Sequence, residues 1–134
     1  MRPSLGTDVA APGDLAWQEL IEVDSWPRWG PTVRAARLDN GGERVFAGAT
    51  GSVQTPLGLW LPFEVDHWHD VGPQRSWSWR VARVPATSHS VIEWGASRCR
   101  VEMSVPWLAP AYLGVVALAL QRIKRRVEER TRDE

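Results

Sequence analysis

Cysteine is nearly absent from the 134 residues, and lysine and tyrosine are as scarce: Cys99, Lys124 and Tyr112 each stand alone of their kind. A lone cysteine excludes an internal disulfide, so the core has to hold the fold. Net charge is missing as well, because sixteen basic residues cancel sixteen acidic ones. That removes the whole-molecule field that draws a protein onto nucleic acid or an anionic membrane, and no nucleic-acid partner is expected. The N-terminus lacks the cationic start and apolar run of a secretory signal, which makes the cytoplasm the expected location. Nor is there a run of about 20 apolar residues able to span a bilayer. Val105 to Leu120 is apolar but too short, and Pro106 and Pro110 interrupt it. Peripheral membrane contact through the basic end (Arg122, Lys124, Arg125, Arg126, Arg130, Arg132) stays open, although Glu128, Glu129, Asp133 and Glu134 offset it.

Tryptophan is what the chain has in excess, with nine in 134 residues. A GC-rich bacterial genome produces this bias together with the preference for arginine. The indole is nevertheless a large flat apolar surface with one N–H donor, equally suited to a core or to a ligand cavity. A chain of this length forms one domain with one core, and no repeat, low-complexity tract or linker divides residues 1–134.

Residues Thr7 to Ala11 read as a first strand, poor in β-branched residues and containing no strong signal beyond Val9. Pro12 fits the first turn of a helix, and Leu15, Ala16, Leu20 and Val23 recur at helical spacing over Gly13 to Val23. Asp24 or Ser25 can cap a second short helix with Pro27 in its first turn, and Gly30-Pro31 stops it. Strands and turn signals then alternate as in a meandering antiparallel sheet: Val33–Leu38, Thr50–Thr55, Leu59–His69, Arg75–Val84, Ser88–Trp94 and Cys99–Val105. In the last of these Cys99, Val101, Met103 and Val105 alternate with polar neighbours, so one face is apolar. From Leu108 to Thr131 the pattern is helical, with Tyr112, Val116, Ala119, Leu120, Ile123 and Val127 on one stripe turned toward the sheet.

The order of one strand, two short helices, six strands and one long helix resembles the START-like (SRPBCC) superfamily of helix-grip proteins, which includes polyketide cyclase-like and lipid-transfer members. The segments that carry the resemblance are Ala11-Pro12 with Trp17 following, Trp26-Pro27-Arg28-Trp29-Gly30-Pro31, the Gly48 to Gly51 entry to the third strand, and Trp77-Ser78-Trp79-Arg80. It covers nearly the whole chain. It implies an α+β fold, a curved antiparallel sheet of about seven strands around the C-terminal helix, with a deep cavity between them for an apolar molecule. It carries no catalytic set.

The candidate ligand-binding residues are Trp29, Phe63, His67, Trp77, Trp79, Met103, Tyr112 and Val116. Trp29 can cap the core, line the cavity mouth, or do both. Trp77 and Trp79 share a strand face and can fill core or meet ligand. If Phe63, Val65 and His67 form the inward face of the fourth strand, His67 is the polar group nearest the cavity and a candidate general base. The His67-x-His69 pair lacks a placed third ligand, with His89 and Glu93 on another strand, so no metal is expected. No cofactor is implied. Glu93 reads as solvent-facing, or as a buried carboxylate if it turns inward. Cys99 reads as a small buried hydrophobe.

The leading expectation is a binder or carrier of a lipid, fatty acid or polyketide-like aromatic, as monomer or homodimer, because an apolar cavity is present without a nucleophile–base pair, phosphate loop or metal set. An aromatase or cyclase-like enzyme using His67, Glu93 or Tyr112 is the first alternative, and an interaction module with a cavity filled by its own tryptophans is the second. An open apolar cavity favours the carrier, converging polar groups the enzyme, and a filled cavity the module. An open cavity also implies that Val116→Trp abolishes binding at little cost in stability.

Overall fold

The computed structural model describes residues 3–106 and 112–133. The elements are β1 (Ser4–Val9), α1 (Gly13–Ile21), a 3₁₀ turn (Val23–Ser25), α2 (Trp26–Trp29), β2 (Ala35–Leu38), β3 (Thr50–Gln54), β4 (Trp60–His69), β5 (Gln74–Val81), β6 (Val84–Gly95), β7 (Arg98–Ser104) and α3 (Leu113–Asp133). One antiparallel sheet runs in the order β1-β7-β6-β5-β4-β3-β2, so consecutive hairpins build it and the first strand is laid on the last. The helix α3 packs against β1, β7, α1 and α2. Its buried residues Val116, Ala119, Leu120, Ile123 and Val127 are the stripe read from the sequence. The expected start of that helix at Leu108 falls on 107–111, outside the described residues.

Local chemistry explains where the boundaries moved. α1 stops at Ile21 instead of Val23 because Glu22 turns extended and pairs with Arg44, while the Val23 N–H goes to Glu43 and the Val45 N–H to Ile21. Ser25 occupies the N-cap position of α2 with Pro27 in its first turn, as expected, but its side chain makes no cap hydrogen bond. Fifth and sixth strands meet in a tight turn at Ala82 (φ 51°) and Arg83 (φ 68°). Left-handed backbone is unusual for residues with a Cβ, and no Asn or Gly marked it. The hairpin is therefore longer than the expected strands Arg75–Val84 and Ser88–Trp94.

β1 lies nearer the N-terminus than expected, in register from Ser4↔Ser104 to Val9↔Cys99. Gly6 fits this edge because a Cβ there would stand 2.7 Å from the Arg100 guanidinium, which crosses the strand to reach Asp8 at 2.9 Å. Gly51 is required in the same way, since a Cβ would meet the Arg37 carbonyl at 2.2 Å and the Phe63 ring at 2.8 Å. At the C-terminal end of β1 Glu128 accepts the Ala10 N–H at 2.8 Å, and Lys124 bridges Glu128 and the Asp8 carbonyl. These bonds tie β1 to α3 and hold Glu128 more acidic than usual, first through the Ala10 N–H and then through Lys124.

Candidate functional site

Alternation along β5 turns Trp77 and Trp79 to the inner face, and the short α2 carries Trp26 and Trp29 over the same face. Trp26 stacks on Trp77 (5.5 Å between centroids, 15°), and Trp79 meets Trp26 and Phe63 edge-on at 5.2 and 5.4 Å. His89 of β6 lies flat against Trp77 at 4.1 Å, and both are 1% exposed. Indole N–H groups find oxygen partners inside: Trp26 donates to the Leu20 carbonyl at 2.8 Å and Trp29 to the Glu19 carbonyl at 3.1 Å. The buried Trp77 Nε1 has no hydrogen-bond partner among the described residues.

A polar chain runs along this aromatic wall. Trp79 Nε1 donates to Thr87 Oγ1 at 3.1 Å, Thr87 Oγ1 lies 3.0 Å from His89 Nε2, and His89 Nδ1 lies 3.4 Å from the Trp77 carbonyl. A carbonyl can only accept, so in the neutral imidazole the proton sits on Nδ1 and Thr87 donates to Nε2.

Two neighbouring spaces adjoin the wall. The inner chamber, about 40 Å³, lies between the tryptophans and α3, where Val116 and Ala119 close it. An outer cleft of about 300 Å³ opens beyond Trp79, with Val33, Val53, Leu61, Val81 and Pro85 on its walls. Thr32, Val33, Trp79, Thr87 and Tyr112 belong to both and form the partition. Across that partition Thr32 Oγ1 and Tyr112 Oη lie 2.5 Å apart.

Of the residues expected at the site, Trp29, Trp77, Trp79, Met103, Tyr112 and Val116 stand on the wall of the inner chamber. Phe63 is buried one layer back, against Trp26 and Trp79. His67 is placed elsewhere. The β4–β5 register shifts between Val65 and His67, and this bulge reverses the alternation beyond it. His67 is consequently exposed, 3.4 Å from Ser76, while Trp68 turns in to pack on Trp17 at 5.4 Å. Among the described residues no three His, Cys, Asp or Glu side chains converge as a metal site. Glu93 is half-buried and pairs with Arg75 at 2.7 Å, away from both chambers. Cys99 is fully buried, and burial, followed by the nearby Glu93 charge, pushes its thiol up to about 11.

Three buried polar residues, Glu19, Thr87 and His89, were not read from the sequence as inward-facing. His89 shares its strand face with Thr87 and Val91, all buried, so the two-residue period already pointed inward. Glu19 falls on the buried stripe of α1 with Leu15, Ala16 and Leu20 and is 0% exposed. Arg126 Nε donates to its carboxylate, and Arg130 Nη1 does so at 3.2 Å.

Neither a family model nor a curated protein matches the chain. Solved structures do. A hypothetical protein, jhp0584, from Helicobacter pylori superposes with a TM-score of 0.74 at 12% identity, over 92% of this chain and 86% of that one. The Zhui aromatase/cyclase from Streptomyces sp. R1128 superposes at 0.67 with 14% identity, over 97% and 94% of the two chains. The chain has the helix-grip fold. A Thermobifida fusca protein shares the helix grip at a TM-score of 0.64 and 18% identity, over 94% of this chain and 92% of that one. At such identities the shared helix grip is a likeness of backbone. Among the described residues no helix is long and apolar enough to cross a membrane.

Proposed function

We propose that the protein binds a small hydrophobic molecule, a lipid, fatty acid or polyketide-like aromatic, in the cleft on the inner face of the sheet beside Tyr112, just before α3. The observation that carries this reading is the outer cleft of about 300 Å³, walled by Val33, Val53, Leu61, Trp79 and Val81 and sharing Trp79 and Tyr112 with an aromatic inner chamber. Ligand sites are typically apolar concavities of about 300–1,000 Å³ with a few placed polar groups, and this one falls at the small end. The inner chamber is nearly filled by the protein's own indoles, so the ligand's bulk belongs in the outer cleft with one edge against Trp79. The test is titration with N-phenyl-1-naphthylamine followed by its own emission and by tryptophan quenching. Saturable binding at micromolar concentration, weakened by Leu61→Arg in the outer wall, is the expected result. Absence of saturation with this probe and with a panel of lipids and aromatics would leave the filled-core interaction module as the better account.

A cyclase-like reaction at the same site is the second reading, favoured by the buried His89–Thr87 pair on the wall of the adjoining inner chamber and by the fold held in common with the Zhui aromatase/cyclase. It requires turnover of a poly-β-keto substrate that His89→Gln stops while N-phenyl-1-naphthylamine still binds.

A further inference from the structure

We infer that the cleft selects an uncharged, oxygen-bearing molecule, and that the Thr32–Tyr112 hydroxyl pair recognises the oxygen. This rests on the ligand-binding reading above. Both residues stand on the walls of both chambers, so any molecule that reaches from the outer cleft toward the inner one passes this pair.

The pair has a donor to spare. Two hydroxyls 2.5 Å apart share one hydrogen bond, which uses one of their two protons. The second O–H can donate to an oxygen lying in either chamber. The neighbouring polar groups are already engaged with each other: Thr87 accepts from Trp79 and pairs with His89, whose other ring nitrogen faces the Trp77 carbonyl.

Charge is what the site cannot accept. No Asp, Glu, Lys or Arg is found among the described residues lining either chamber. A carboxylate or ammonium enclosed there would leave water without a counter-charge, a loss larger than one neutral hydrogen bond returns. A ligand with no oxygen at all would leave the spare hydroxyl proton without an acceptor once water is displaced. A ketone, phenol or alcohol on an apolar frame satisfies both conditions.

Naphthalene, 2-naphthol and 2-naphthoate separate these effects, because they share one flat frame and differ in oxygen and charge. Each is titrated at pH 7 against the wild type, Tyr112→Phe, Thr32→Val and the double variant by tryptophan quenching. 2-Naphthol is expected to bind at least about tenfold more tightly than 2-naphthoate. Each substitution alone leaves one hydroxyl that can still donate, so the two together are expected to weaken 2-naphthol about three- to tenfold without weakening naphthalene, since only then is the neutral hydrogen bond removed. Urea denaturation of the double variant, in which Thr32→Val is near-isosteric, checks that it is folded. Equal or tighter binding of 2-naphthoate, or 2-naphthol binding indifferent to the two substitutions together, would overturn the inference while naphthalene binding still upheld the cleft. Failure of all three probes to saturate would remove the ligand-binding reading and this inference together.

Discussion

The inner chamber can be tested by filling it. Val116 stands on its wall and is 1% exposed, and the space beside it is about 40 Å³. An unfilled volume costs about 24 cal/mol per Å³, which for this chamber comes to about 1 kcal/mol. One buried methylene contributes about 0.8 kcal/mol, so Val116→Leu is expected to raise stability by about 0.8–1 kcal/mol. Leucine is also the better helix former by a few tenths of a kcal/mol. Val116→Trp adds far more bulk than the chamber holds and is expected to cost about 1–3 kcal/mol, unlike the near-neutral outcome that a large open cavity would give. The assay is urea denaturation followed by tryptophan emission, with the slope m unchanged as the sign that only stability has moved. For a chain of this size 1 kcal/mol corresponds to about 3–5 °C in Tm. A loss of more than about 1 kcal/mol for Val116→Leu would mean the chamber is already full. A neutral Val116→Trp would mean that the wall yields and the cavity is larger. Binding of N-phenyl-1-naphthylamine that survives Val116→Leu would place this probe in the outer cleft alone.

Two other expectations follow from buried groups. The Cys99 thiol is raised to about 11 by burial, so the stability it confers is complete below the ordinary thiol range and disappears as pH rises toward about 11. This corresponds to about 3 kcal/mol, seen as an alkaline fall in urea stability that Cys99→Ala lacks, and the native thiol should resist thiol reagents at pH 8 until the chain unfolds. Removing Arg126 strands a fully buried carboxylate with Arg130 alone, whereas removing the charge of Glu19 leaves two arginines that still touch solvent. Arg126→Met is therefore expected to cost about 2–3 kcal/mol and Glu19→Gln about 1 kcal/mol, and equal costs in denaturation would contradict the burial argument.

Much of the architecture was legible because it is periodic. The stripe of α3 and the alternation in β7 follow directly from spacing, and Trp77 and Trp79 share a face because β5 is regular between them. His67 was misplaced because a bulge breaks the count at Asp66 and no glycine announces it. The β5–β6 turn was missed for a related reason, since Ala82 and Arg83 take a backbone shape that their side chains disfavour and only the hairpin's pairing imposes. His89 and Glu19 were legible by position and passed over by type, because a polar residue on a buried face reads as an exception until its partners are known. The partition between the chambers could not be read at all. Thr32 and Tyr112 are 80 residues apart, and only the docking of α3 on the loop after α2 brings their hydroxyls together.

The pairing of β1 with β7 also sets an order of events during synthesis. Every hairpin from β2 to β7 joins neighbours in sequence, but Ser4 to Val9 find their partners only at Cys99 to Ser104. β1 is translated before its partner β7 and must wait, unpaired, until nearly the whole sheet has been made. Contacts of such separation are slow to form, because the loop between them has to be closed before the pairing returns anything. The meander can assemble progressively from β2 onward, and the N-terminal strand, with the α3 residues Lys124 and Glu128 that hold it, closes the sheet edge last. Until then the outer edge of β7 is open, and an unpaired strand of another chain can take that place.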